Sequence, residues 1–144
     1  MVYAERTVWA TLIATAVIIP GYIVVILQQA GDGPLTSVDW FPIMLWAIGI
    51  SIVGAIVIGI LWGIVIGLRD PNGATTSDIR DRDIDRMGGR VEHSLLVITG
   101  LGVIALCAVG ADVFWIANAM FIGFAISAFV GGVARVIAYR RGLA

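Results

Sequence analysis

FPIMLWAIGISIVGAIVIGILWGIVIGL, residues 41–68, is the stretch that decides the fold of this chain. It contains no charged residue, and a helix needs only about 20 apolar residues to cross the hydrocarbon core of a bilayer. A longer run is accommodated when the helix tilts or protrudes at one end. The stretch therefore predicts a membrane-spanning α-helix.

Three further apolar runs surround this one, at residues 8–27, 94–111 and 113–138. Of the 144 residues, 60% are hydrophobic and 13% are charged, and the mean hydropathy is +1.01. These values lie far from those of soluble domains. We therefore expect an all-α fold, a polytopic transmembrane four-helix bundle that forms a single integral membrane domain over residues 1–144.

A polar segment at 69–93 separates the second and third spans and is expected to be a cytoplasmic loop. Its densest part, residues 75–93, reads TTSDIRDRDIDRMGGRVEH. Apolar residues recur there at helical spacing, which predicts a short amphipathic helix that runs into the third span. Aspartates and arginines three and four positions apart predict a solvated lattice of salt bridges on that helix. Gly88 and Gly89 predict a bend before the third span.

The arginines indicate the orientation of the chain in the membrane. Arg6, the five arginines from Arg69 to Arg90, and the pair Arg140 and Arg141 share one side, whereas the other two loops contain none. Short loops rich in Lys and Arg stay in the cytoplasm. Both termini are therefore expected to be cytoplasmic.

Small residues recur at every fourth position of two spans and predict close helix packing. The second span carries Ala47, Ser51, Ala55, Gly59, Gly63 and Gly67. The fourth carries Ala119, Gly123, Ser127 and Gly131, with Arg135 next on the same face. Packing within one bundle is the simpler use of these ridges, and a homodimer or a larger membrane partner is the alternative.

The charged segment supports two interpretations. In the first, its basic residues form a cytoplasmic contact surface made of Arg80, Arg82, Arg86, Arg90 and His93. In the second, the carboxylates of Asp78, Asp81 and Asp85 share one sector of the helix and hold Mg²⁺. This spacing resembles the aspartate motif of UbiA-superfamily prenyltransferases, although Ser77 replaces the asparagine of that motif and no second aspartate motif is present.

Several functional classes are disfavoured by composition. A net charge of −1 without a long basic tract gives no indication of nucleic-acid binding. The single cysteine, Cys107, cannot form an intrachain disulfide. Coupled transport normally needs ionisable residues inside the spans, and the apolar centres contain none. No catalytic residue and no cofactor other than Mg²⁺ is predicted.

The layout resembles an uncharacterised family of small prokaryotic four-span membrane proteins. The resemblance is carried by Asp78 to Arg90, by the segment DVFWIAN at 112–118 and by YRRG at 139–142, while Ile79 departs from the acid usual there. It implies location in a prokaryotic plasma membrane (the cell inner membrane) and no established activity. The leading hypothesis is a non-enzymatic accessory, regulatory or immunity-type bundle. The alternatives are a metal-dependent lipid-diphosphate or phospholipid enzyme and a small-molecule transporter or channel.

Overall fold

The computed structural model describes residues 3–69 and 79–141, and the side chains of 8–61, 64–65 and 81–140 within them. These residues form four α-helices, and no strand occurs among them, so the predicted all-α fold is confirmed. The helices are α1 (Tyr3–Ala30), α2 (Trp40–Arg69), α3 (Ile79–Ala108) and α4 (Val113–Arg141). Each contains a segment long and apolar enough to cross a membrane.

The helices lie side by side in the order α2, α1, α4, α3. Helix α3 packs along α4, α4 packs on α1, and α1 packs on α2. Among the described residues, no contact of comparable extent joins α2 to α3. The bundle is therefore open between its two outer helices, and α1 and α4 form its centre.

Two short turns lie at one end of the molecule, which we call the loop end. Helix α3 stops at a Schellman motif, in which Gly110 adopts a φ of +68° and donates to the carbonyl of Cys107, while Ala111 donates to that of Leu106. Asp112 then accepts a hydrogen bond of 2.8 Å from the backbone N–H of Phe114. The third span therefore ends three residues before the predicted 111, and the side chain of Asp112 caps α4.

The main buried cluster also lies at the loop end. It combines Tyr22 and Ile26 of α1, Met44 of α2 and Phe114 of α4 with Val38, which follows a 3₁₀ turn at Leu35–Ser37. The Tyr22 hydroxyl donates to Oδ1 of Asn118 at 2.6 Å. This cluster fixes α1, α2 and α4 relative to one another at the loop end.

The opposite end, which we call the charged end, agrees with the prediction in part. A short amphipathic helix running into the third span was expected within a loop at 69–93, with a bend at Gly88 and Gly89. Residues 79–93 do form a helix that runs into the third span, as the first half of α3, but this helix continues unbroken through Gly88 and Gly89. Two acids of this half, Asp85 and Glu92, have their partner on α4.

Candidate functional site

The charged end is organised around Arg135 of α4. Its Nη1 donates to Oε1 of Glu92 at 2.5 Å, and its Nε lies 3.3 Å from Oδ1 of Asp85. Only 17% of the Arg135 side chain is exposed, against 29% for Glu92 and 63% for Asp85. One guanidinium from α4 therefore joins two carboxylates that lie two turns apart on α3.

Small residues let the two helices come close enough for these contacts. A Cβ on Gly88 would lie 2.5 Å from Cγ of Arg135, and a Cβ on Gly131 would overlap the Glu92 side chain. One turn before Gly131 on α4, the buried Ser127 hydroxyl donates to the backbone carbonyl of Glu92 at 2.5 Å. Close approach through small residues and interhelical hydrogen bonds is typical of membrane helices. The ridge of the fourth span thus lies against α3.

A second close approach joins α4 to α1 one residue further on. A Cβ on Gly132 would lie 2.8 Å from Cδ2 of Leu12. About two turns further along α4, the guanidinium of Arg140 lies 5.6 Å from the centroid of the Trp9 ring, within range of a cation–π interaction. The consecutive glycines at 131 and 132 therefore bring α4 close to both of its neighbours.

The charges of α3 are sorted by face. Asp85 and Glu92 point towards α4, and Asp81 acts electrostatically on the Tyr139 hydroxyl of α4. The basic residues lie on another side of α3 and are exposed. We call this side the basic face; it consists of Arg82, Arg86, Arg90 and His93. The ordering differs from the predicted same-helix lattice, because Asp85 contacts Arg135 of α4 instead of Arg82. The predicted pair of Asp83 and Arg86 is present at 3.9 Å and is exposed.

The residues proposed for metal binding are distributed as follows. Asp78 lies outside the described residues, and Asp81 and Asp85 lie one turn apart on α3. Asp85 already contacts Arg135. Among the described side chains, no group of three metal-ligating residues is close enough to hold an ion.

Of the predicted contact surface, the structure describes the side chains of Arg82, Arg86, Arg90 and His93. The side chain of Arg80 is outside the described set.

The ridge of the second span has a different environment from that of the fourth. Ser51, Ala55 and Gly59 line an apolar groove of about 620 Å³ bounded by α1, α2 and α4. A Cβ on Gly59 would meet nothing within 4 Å, so no described residue of another helix in this chain approaches Gly59 closely. The Ser51 hydroxyl donates to the carbonyl of Ala47 in its own helix. The surroundings of Gly63 and Gly67 are outside the described side chains.

Two polar contacts within the spans were not predicted. Glu92, in the polar segment, pairs with Arg135 of α4. Asn118 accepts a hydrogen bond from the Tyr22 hydroxyl and donates to the carbonyl of Phe114 at 2.8 Å. The position of Arg135 at the end of the small-residue ridge was the available signal, because a residue on a packing face points at a neighbouring helix.

Comparison with known proteins adds no relative: neither a protein-family model, nor a curated protein, nor a solved structure matches the chain. The structure itself defines the class. Its four helices suited to crossing a bilayer, joined at one end by short turns, are those of a multi-pass α-helical membrane protein.

Proposed function

We propose that this protein is a non-enzymatic accessory or regulatory protein of a prokaryotic plasma membrane, in the manner of immunity-type bundles. Its charged end faces the cytoplasm, an orientation that the arginine distribution favours, and both termini lie on that side. The first half of α3 is its contact surface. The resemblance of residues 78–90, 112–118 and 139–142 to small prokaryotic four-span proteins is consistent with this assignment.

The observation that carries the proposal is the pairing of Arg135 with Asp85 and Glu92. A carboxylate that is already paired with a guanidinium is a poor ligand for a divalent cation, because binding the ion requires breaking the pair. Asp85 and Glu92 therefore serve to hold α3 on α4. The basic face is left exposed, in the position of a contact surface.

Two alternatives meet specific obstacles in the same geometry. A metal-dependent lipid-diphosphate or phospholipid enzyme would use Asp78, Asp81 and Asp85, and Asp85 would first have to leave Arg135. A transporter or channel would need a hydrated path between helices. The groove between α1, α2 and α4 is lined almost wholly by apolar atoms, and its hydroxyl groups at Thr15 and Ser51 are bonded to backbone carbonyls.

Calorimetric titration of Mg²⁺ and Mn²⁺ into the detergent-purified full chain tests the proposal. We expect no saturable binding to the wild type, to Asp81→Asn or to the control Asp83→Asn, whose carboxylate lies outside the proposed metal triad. Saturable binding that Asp81→Asn abolishes and Asp83→Asn retains would replace the proposal with the enzyme alternative. In that event lipid and prenyl diphosphates become the substrates to screen.

A further inference from the structure

The basic face of α3 continues without interruption into the part of the helix that faces lipid. The basic face recurs at intervals of four, four and three positions, at Arg82, Arg86, Arg90 and His93. The same intervals continue along the helix at three apolar residues, Val97, Leu101 and Ile104. Residues at such intervals lie on one face of a helix. The three apolar residues are 50%, 62% and 64% exposed, so this face points away from the other helices along its whole length.

The length of α3 places the basic face at the level of the lipid headgroups. The apolar part, residues 94–108, is only about 22 Å long at 1.5 Å per residue, whereas the hydrocarbon core is about 30 Å thick. The missing length comes from the uncharged turn residues 109–111 at the loop end and from the residues just before Ser94, which include His93 and Arg90. Long basic side chains at this depth extend to the phosphate groups.

The charge balance of this surface selects lipids with acidic headgroups. Asp85 and Glu92 are turned towards Arg135, so they do not compensate the arginines on the opposite side. Asp83 forms an ion pair with Arg86 of the basic face, and this contact is exposed and long at 3.9 Å. Guanidinium groups bind phosphate oxygens in a bidentate manner. Three of them in a row favour headgroups that carry net negative charge.

We propose that Arg82, Arg86, Arg90 and His93 form a binding site for acidic phospholipid headgroups in the leaflet at the charged end. This inference rests on the proposed function, because it names the partner of the contact surface assigned there. Each arginine near the membrane surface contributes about a fivefold gain in affinity for acidic lipid. Removing all three is expected to lower that affinity about a hundredfold.

Native mass spectrometry of the full chain, purified in neutral detergent with EDTA, tests the site. Phosphatidylglycerol and phosphatidylcholine with identical acyl chains are titrated, and the bound lipids are counted. The test variant is R82Q/R86Q/R90Q. The matched control, R6Q/R140Q/R141Q, removes the same charge from the same end of the protein. Circular dichroism verifies that each variant is helical. If R82Q/R86Q/R90Q does not fold, the single variant R90Q takes its place.

The expected result is a preference of the wild type for phosphatidylglycerol of at least about tenfold, lost in the test variant and kept in the control. Equal retention of both lipids by the wild type overturns the proposal, and so does an equal loss in the two triple variants, which would show a response to total charge alone. A protein partner captured through the basic face without any lipid preference also overturns it. Because EDTA removes divalent metal, these outcomes are independent of the metal titration that tests the proposed function.

Discussion

Arg135 of α4 and Glu92 of α3 form the shortest ion pair described in this molecule, with Nη1 and Oε1 2.5 Å apart. Counted along the axis of α3, Glu92 lies about 24 Å from the end of the helix at Ala108, near the far edge of the hydrocarbon core. Few water molecules are available at that depth to replace either partner. The pair therefore joins two helices at the level where the membrane meets the charged end.

Substitution of Arg135 by Gln is expected to lower the free energy of unfolding by about 2 kcal/mol, because it leaves a poorly solvated carboxylate without its cation. Equilibrium unfolding in mixed micelles containing SDS measures the change. The exposed pair of Arg86 and Asp83 supplies the control, since Arg86→Gln should cost less than about 0.5 kcal/mol. Equal losses in the two variants would contradict a structural role for Arg135.

The contact between Gly131 and Glu92 predicts that a single methyl group disturbs the packing of α3 on α4. Gly131→Ala should lower the free energy of unfolding by about 1–3 kcal/mol, because the added Cβ overlaps the Glu92 side chain. The matched control is Gly102→Ala, where a Cβ meets nothing within 4 Å. That control should be neutral or slightly stabilising, and a destabilised Gly102→Ala would mean that added bulk alone is harmful.

The hydrogen bond from Tyr22 to Asn118 joins α1 to α4 and predicts a non-additive mutant cycle. Tyr22→Phe should cost about 1 kcal/mol, because the amide oxygen of Asn118 loses its donor among apolar neighbours. In Y22F/N118L both polar partners are gone, and the loss should be smaller than the sum of the two single losses. Strict additivity, measured by unfolding in the same micelles, would show that the two side chains do not interact.

The cap at the start of α4 predicts a loss of stability that depends on the position of the aspartate. Asp112→Ala should destabilise the protein by about 1 kcal/mol, because the N–H of Phe114 loses its acceptor at the turn. Asp32→Ala removes the same charge from the exposed loop between α1 and α2, and it should have little effect. Thermal unfolding followed by circular dichroism compares the two, and an equal effect would attribute the result to charge rather than to capping.

The number and approximate extent of the helices were determined by the sequence alone. Uncharged runs such as 41–68 cannot be solvated as loops in water, and in lipid they must satisfy their backbone groups as helices. The cap at Asp112 was equally predictable, because it depends on residues adjacent in the chain. The helical character of 79–93 was predicted from its apolar spacing, whereas the unbroken course of α3 through Gly88 and Gly89 was not, since two adjacent glycines favour a bend.

What the tertiary structure decided is which partner each face of a helix meets. Small-residue ridges occur in both α2 and α4, yet the ridge of α4 packs on α3 while Gly59 of α2 faces an open groove. Spacing along a sequence fixes the direction of a side chain relative to its own helix axis, but the order α2, α1, α4, α3 follows from all the interhelical contacts together. For this reason the pairing of Arg135 with Glu92, 43 residues away, and the exposure of the basic face are evident only in the folded chain.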